Sequence, residues 1–270
     1  LIKIFLELPI YFIALFPCII IRLISPFFLI RIDRIPCANF GNLASFIGLY
    51  YCKKKLNIDQ PNKSHIDILY LDTKTKSSNK YLLKMWKRKL KIFPGIILGP
   101  IDKLSKMLPW GKKYSIEILS SKYECDVDNL FEKFQPLSFK QEEEEQATAI
   151  LKKFGLKKND KFVCLAVRDG SYSKVKDRLS RSSFAYHEYR NFDIDDFKLA
   201  SEELTKKGYY VFRMGVTANK PLVSDNPKVI DYVNSDMRSE FMDIYLGAKC
   251  SFCISTGYGF DMIPYIFNKP

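Results

Sequence analysis

Three places in the second half of the chain put anion-binding groups just beyond an apolar, strand-like run. Arg168 and Asp169 follow "VCLAV", Arg213 and Gly215 end "YYVFRMG", and Ser255, Thr256 and Gly257 follow "SFCI". In an open parallel sheet the carboxyl ends of the strands share one edge, and ligands bind in the crevice outside it. Guanidinium forks match phosphate oxygens. A glycine-containing turn that opens a helix adds backbone N–H groups and the positive end of a dipole. The two arginines and the loop Ser255 to Gly259 are therefore expected to converge on a diphosphate. Gly257 and Gly259 would leave room for close backbone approach, and a helix from Phe260 to Phe267 would aim its N-terminus at the phosphates. A strand-ending arginine also serves as an ion-pair partner, and Ser-Thr-Gly as a plain turn; repetition at successive strand ends carries the expectation. The chain has neither GxGxxG nor the Walker GxxxxGK[ST], so hydride transfer on a Rossmann fingerprint and P-loop hydrolysis are unsupported.

A second group sits in "FAYHEYRNFDID", which holds Tyr186, His187, Tyr189, Arg190, Asn191 and Asp193. Such a polar and aromatic loop could stack on a base or grip a sugar. It could also be a loop held by its own hydrogen bonds, with Asp193 only a helix cap. His65 reads as structural. The seven cysteines are odd in number, scattered and mostly inside apolar runs, which suits a reducing compartment. Cys250 and Cys253 form a CxxC without a second one, so they read as buried thiols rather than a zinc site.

These residues need elements to hold them. Phe27 to Ile32 and "HIDILYLD" (His65 to Asp72) read as strands, with a helix from Leu43 to Lys53 between them and Gly41 in the preceding loop. "NKYLLKMWKRKLK" reads as a basic helix and "IFPGIIL" as a third strand. "DVDNLFEKF" and "KQEEEEQATAILKKFGL" read as helices, the latter acidic at its start and ending at Gly155. The second half repeats the alternation: strand "KFVCLAVRD", helix "DIDDFKLASEELTKKG", strands "YYVFRMG" and "KVIDYV", helix "SEFMDIYLGAK", strand "SFCIS". This pattern predicts an α/β fold with parallel sheets. The polar turn Gly155 to Asp160 marks the expected domain boundary, giving a segment 1–26, a first domain 27–156 and a second 157–270.

The segment 1–26 is apolar and is punctuated by Pro9, Pro17 and Pro26. Its longest uncharged stretch, Leu8 to Ile21, is shorter than the ~20 residues of a spanning helix. It reads as an in-plane or re-entrant membrane anchor, as the end of a tilted transmembrane helix, or as a buried core helix. The chain carries 43 basic and 30 acidic residues, net +13. That balance suits an anionic partner: a membrane surface, a phosphorylated ligand or nucleic acid. Nucleic acid is disfavoured, because the basic residues follow no recognition motif. The chain opens with Leu and ends on Asn-Lys-Pro after a helix, so it is expected to be a fragment, its second domain incomplete.

"YHEYRNFDIDDF", "KKGYYVFRMG" and "FMDIYLGAKCSFCISTGYGFDMIPYIFNKP" resemble a family of bacterial glycosyltransferases of surface-polysaccharide gene clusters, and "LIRIDRIPCANFGNLA" looks like its first strand and loop. The resemblance spans most of the chain after residue 27. It implies a GT-B architecture of two Rossmann-like domains, the C-terminal one holding a nucleotide-sugar, and a distant similarity to fucosyltransferase-like enzymes. It implies glycosyl transfer to a saccharide or lipid-linked acceptor, without a metal or other cofactor; the apolar N-terminus and the basic helix from Lys80 to Lys91 are what suggest a peripheral or N-terminally anchored protein at the cytoplasmic face of the inner membrane. Arg168, Arg190, Arg213, Gly215, Ser255, Thr256 and Gly257 would bind the donor diphosphate or nucleotide. Tyr186, Tyr189 and Asn191 would line the donor side, and Gly41 and Asn42 the acceptor side. Asp169 and His187 are the candidate bases. The chain departs from the family's pattern at Ala166 and Asn42, where that pattern has histidine. A non-catalytic membrane-surface binding protein and a nucleotide-sugar epimerase are the alternative readings.

Overall fold

The computed structural model describes residues 2–172 and 185–270, with side chains from residue 9 to 172 and from 188 onward. The chain divides into two compact units, residues 1–134 and 135–270.

The first unit is built on a parallel sheet of β1 (Leu29–Arg34), β2 (His65–Leu71) and β3 (Ile92–Pro94), in that order. β1 and β2 pair from Leu29 opposite His65 to Arg34 opposite Tyr70. Side chains alternate between the faces of a strand, and the two sets find different covers. Asp67 meets Tyr50 of α2 (Phe40–Lys55), while Ile32 and Tyr70 pack with Ile101 of α4 (Gly95–Met107). Helix α1 (Ile2–Ile24) lies along α4 and buries Ala14, Cys18 and Ile21 in the same cluster. Those positions are spaced i, i+4, i+7, one stripe of a helix. Arg22 pins the pair, donating to the carbonyls of Pro109 at 2.8 Å and Ser105 at 3.2 Å. Among the described residues, no helix is long and apolar enough to cross a membrane.

Charge is also buried here. Asp67 accepts from Arg31 Nε (2.7 Å) and Nη2 (3.0 Å), Tyr50 Oη (2.8 Å) and Lys54 Nζ (3.1 Å). Burial alone would raise its pKa; the bonds to Arg31 and the charge of Lys54 outweigh that and hold it below 3.8. His65 opens β2 with Nδ1 3.2 Å from the Lys63 carbonyl. Helix α3 (Lys80–Lys87) starts on Asn79, whose side chain accepts from Leu82 N–H. It turns Leu82, Leu83, Met85 and Trp86 into the core, so its apolar side is already covered. The run read as a third strand breaks at Gly95, where α4 begins. A Cβ at Gly95 would stand 2.2 Å from the Leu71 carbonyl oxygen; only glycine lets the chain turn so close to β2. A short helix, α5 (Leu130–Lys133), ends the unit.

The second unit is a four-stranded parallel sheet: β4 (Lys161–Ala166), β5 (Tyr209–Arg213), β6 (Val229–Ile230) and β7 (Cys253–Ser255), in the order β6-β5-β4-β7. Val163, Leu165 and Val211 pack with Ile194 and Leu222 on one face. Phe162 and Phe212 meet Phe154 and Tyr232 on the other. Helix α6 (Gln141–Lys153), expected to close the first domain, belongs to this unit. Its Glu144 accepts from Tyr245 Oη at 2.8 Å and pairs with Lys249 at 2.6 Å, both on α8 (Glu240–Lys249). The division therefore falls at 134/135, ahead of the expected 156/157. α7 (Lys198–Lys206) packs on β5, and α9 (Met262–Ile266) on α8.

Candidate functional site

Because all four strands of the second unit run parallel, their carboxyl ends fall on one edge. β4 lies between β5 and β7, with Leu165 opposite Arg213 and Ala166 opposite Ser255. The segments after these strands are tied together by hydrogen bonds. Arg168 N–H donates to Thr256 Oγ1 at 2.9 Å, and Thr256 N–H to the Ala166 carbonyl at 3.1 Å. Arg168 Nε donates to Asn191 Oδ1 at 2.9 Å, and Phe192 N–H to the Arg168 carbonyl at 2.8 Å. Arg190 Nη1 donates to the Gly257 carbonyl at 3.0 Å, with its guanidinium 5.8 Å from the centre of the exposed Tyr189 ring. Two half-buried arginines are thus tied to one loop, Arg168 through its backbone N–H and Arg190 through its guanidinium. Asn191, packed against Gly170, orients the first of them.

The closing loop is self-contained. Gly257 has φ +85°, a left-handed conformation that favours glycine. Its N–H donates to Ser255 Oγ at 3.0 Å, and Ser255 Oγ–H to Asp261 Oδ1 at 2.5 Å. The other oxygen of Asp261 accepts from Tyr258 N–H at 2.8 Å. Burial raises the Asp261 pKa against the pull of these bonds and of Arg190. The expected helix from Phe260 to Phe267 is a 3-10 turn, Gly259–Asp261, followed by the five residues of α9. Its first turn meets a carboxylate of its own chain; Ser255 Oγ and the Gly257 N–H bond within the loop, whereas Thr256 bonds to the end of β4 and the Gly257 carbonyl to Arg190. These groups shape the loop that holds the backbone of Arg168 and the guanidinium of Arg190.

Three further expectations change. Arg213 is 1% exposed. Its Nη1 donates to the Lys220 carbonyl at 2.6 Å, and the guanidinium lies 3.4 Å from Asp231 and 3.5 Å from Asp169. It is a buried pillar between two carboxylates, closed to a ligand. Asp169 accepts from Ser171 N–H (3.0 Å), Ser171 Oγ (2.6 Å) and Asn219 N–H (2.7 Å). Its carboxylate is engaged by these donors and lies against Arg213. Gly215 is a packed joint: its carbonyl accepts from Arg238 Nε at 2.8 Å, and a Cβ there would meet Val233 at 3.0 Å.

Asp193 does cap the turn Ile194–Phe197, accepting from Asp195 N–H, and pairs with Lys220 at 2.5 Å. The side chains of Tyr186 and His187 lie outside those described. In the first unit, Gly41 and Asn42 stand in the first turn of α2 rather than in a loop, and the Gly41 carbonyl accepts from Ser45 Oγ at 3.0 Å. Sequence reasoning missed Asp261 and Asp231. Asp231 meets Arg213 from the end of another strand, whereas Asp261 is bonded by Ser255 and Tyr258, six and three residues before it. Among the described residues, no group of three or more histidines, cysteines or carboxylates could hold a metal ion. Comparison with known proteins finds no family model matching the chain, and no significant match among curated proteins or solved structures.

Proposed function

We propose that the chain serves glycosyl transfer from a nucleotide-sugar, with the donor diphosphate held by Arg168 and Arg190 at the carboxyl edge of the second unit's sheet. One observation carries this reading: the backbone N–H of Arg168 and the guanidinium of Arg190 are both bonded to the same glycine loop, at the edge where open α/β sheets bind ligands. In this reading Tyr189 offers a ring for the base or sugar, Asn191 aims Arg168, and Thr256 and Gly257 fix the anchor points. The two units are the halves of a GT-B architecture, and Gly41 and Asn42 belong to the acceptor side. Charge-assisted bonds to a phosphate stabilise the departing nucleoside diphosphate without a bound metal.

The experiment is calorimetric titration with UDP-, GDP- and CMP-sugars. One donor class should bind, and Arg168→Ala or Arg190→Ala should weaken it about 10- to 100-fold, the loss of a hydrogen bond to a charged group. Unchanged affinity in both variants overturns the reading. A second reading, binding without turnover, is favoured by the engagement of the Asp169 carboxylate. Release of nucleoside diphosphate on adding acceptor separates the two.

A further inference from the structure

The first unit shows a surface that the donor site does not use. The stripe of α1 opposite Ala14, Cys18 and Ile21 presents Phe12, Ile13, Phe16 and Leu23, each at least 70% exposed, and Phe27 continues it at 86%. Beside it, α4 presents Ile96 and Ile97, and the turn after α4 presents Trp110 at 83%. These exposed apolar side chains lie on two helices packed against each other and on the turn that follows, and apolar exposure gathered in this way marks an interaction face. The charge around it has one sign. Residues 9–28 and 91–113 contain Arg22, Lys91, Lys103, Lys106, Lys112 and Lys113 against the single carboxylate Asp102. Asp102 is buried and bound by Tyr70 and by Lys106, which also pairs with the buried Asp33 of β1, so the positive charge of this face rests on Lys91, Lys103, Lys112 and Lys113. A depression of about 710 Å³ beside the apolar stripe is lined by Trp110, Tyr114, Lys106, Lys112 and Lys113.

We propose that this face docks in the plane of an anionic phospholipid bilayer, with α1 lying along the interface rather than crossing it. The apolar stripe would enter the acyl boundary, Trp110 would sit at headgroup level, and the lysines would meet the phosphates. Trp and Lys in this combination are the usual anchors of a membrane interface. Crossing is opposed by the inner stripe, because α1 supplies Cys18 and Ile21 to the core and Arg22 to the carbonyls of Ser105 and Pro109. A protein partner is less suited, because the one-signed rim needs a continuous sheet of negative charge. This inference stands independently of the donor site.

The two tryptophans supply the test. Trp86 is fully buried and bonded to the Leu43 carbonyl, so a change in emission on adding vesicles reports Trp110. The chain should float with phosphatidylcholine vesicles carrying about a quarter phosphatidylglycerol, shift its emission to shorter wavelength, bind pure phosphatidylcholine about tenfold more weakly, and detach in alkaline carbonate. The double variant Phe12→Ser/Phe16→Ser should lose about tenfold in binding or more with its melting temperature kept, because both rings are already in water. Lys112→Glu/Lys113→Glu should lose the preference for the anionic vesicles. Failure of the wild type to float overturns the proposal, as does retention through carbonate. So does self-association that the serine variant dissolves while vesicle binding persists, because the face then belongs to a second copy.

Discussion

Thr256 shows how one atom changes what a mutation means. Its hydroxyl oxygen accepts the Arg168 N–H across the strand ends. Thr256→Val should therefore cost about 1–2 kcal/mol of stability, seen as a lower urea midpoint, and weaken nucleotide-sugar binding only through the displaced Arg168. Thr256→Ser should restore both. Asp169 makes a second case. Asn in its place offers one acceptor oxygen where the carboxylate uses two, and it leaves the buried Arg213 facing less negative charge. Asp169→Asn should lower stability by roughly 1–3 kcal/mol as measured by chemical denaturation, whereas a residue acting only as a base would lose turnover at unchanged stability. Gly257→Ala meets open space, the nearest atom being Arg190 Cδ at 4.0 Å. Its cost should come from backbone strain alone, about 1 kcal/mol, read from the same midpoint. The place of Arg168 beyond a strand's carboxyl end and the need for glycine at 257 were legible from residue type and position. The fate of Arg213 was not, because its partner Asp231 follows a different strand.

Among the elements, the alternation of strands and helices was the most legible feature, since period and length separate the two types. It failed at "IFPGIIL", where a short apolar run fits a strand or a half-exposed helix equally, and only contact with the Leu71 carbonyl makes Gly95 the turning point. The polar turn at 155–160 marked a loop inside a unit rather than a boundary, because α6 packs forward on α8 through Glu144. Two buried carboxylates give these elements opposite responses to pH. Asp67, held low by Arg31 and Lys54 against burial, contributes stability present above about pH 3.8 and lost below it. Asp243 on α8 is pushed up from 3.8 to about 6 by burial, which outweighs its 2.6 Å pair with Arg238. Its contribution is full below pH 3.8 and is lost as pH rises through 6, at most ~3 kcal/mol. Asp243→Asn should flatten the decline in denaturation free energy between those values, and Asp67→Asn should lower the curve above about pH 3.8 and flatten its acid limb. A titration of midpoints from pH 3 to 8, about the usable range, distinguishes the two.

For the whole molecule, net +13 on 270 residues means that the folded state works against its own field. Raising sodium chloride from about 10 mM, where the screening length is ~30 Å, to about 0.15 M, where it is ~8 Å, should raise the calorimetric melting temperature. A fall would show that attraction within the exposed ion pairs, such as Lys220 with Asp193 and Asp195 and Lys206 with Glu203, outweighs the surface excess. The division into two units brings out a property of the thiols. Cys18, Cys37 and Cys52 are buried in the first unit, Cys164 and Cys250 in the second, and Cys125 is exposed. Burial pushes the Cys52 thiol up to about 12 and raises Cys18 and Cys37 as well, so these groups stay protonated and unreactive while folded. The chain is thereby its own unfolding clock. A brief pulse of alkylating reagent at rising denaturant would mark Cys125 at once and each buried set only when its unit opens. Peptide masses would then tell which half lets go first.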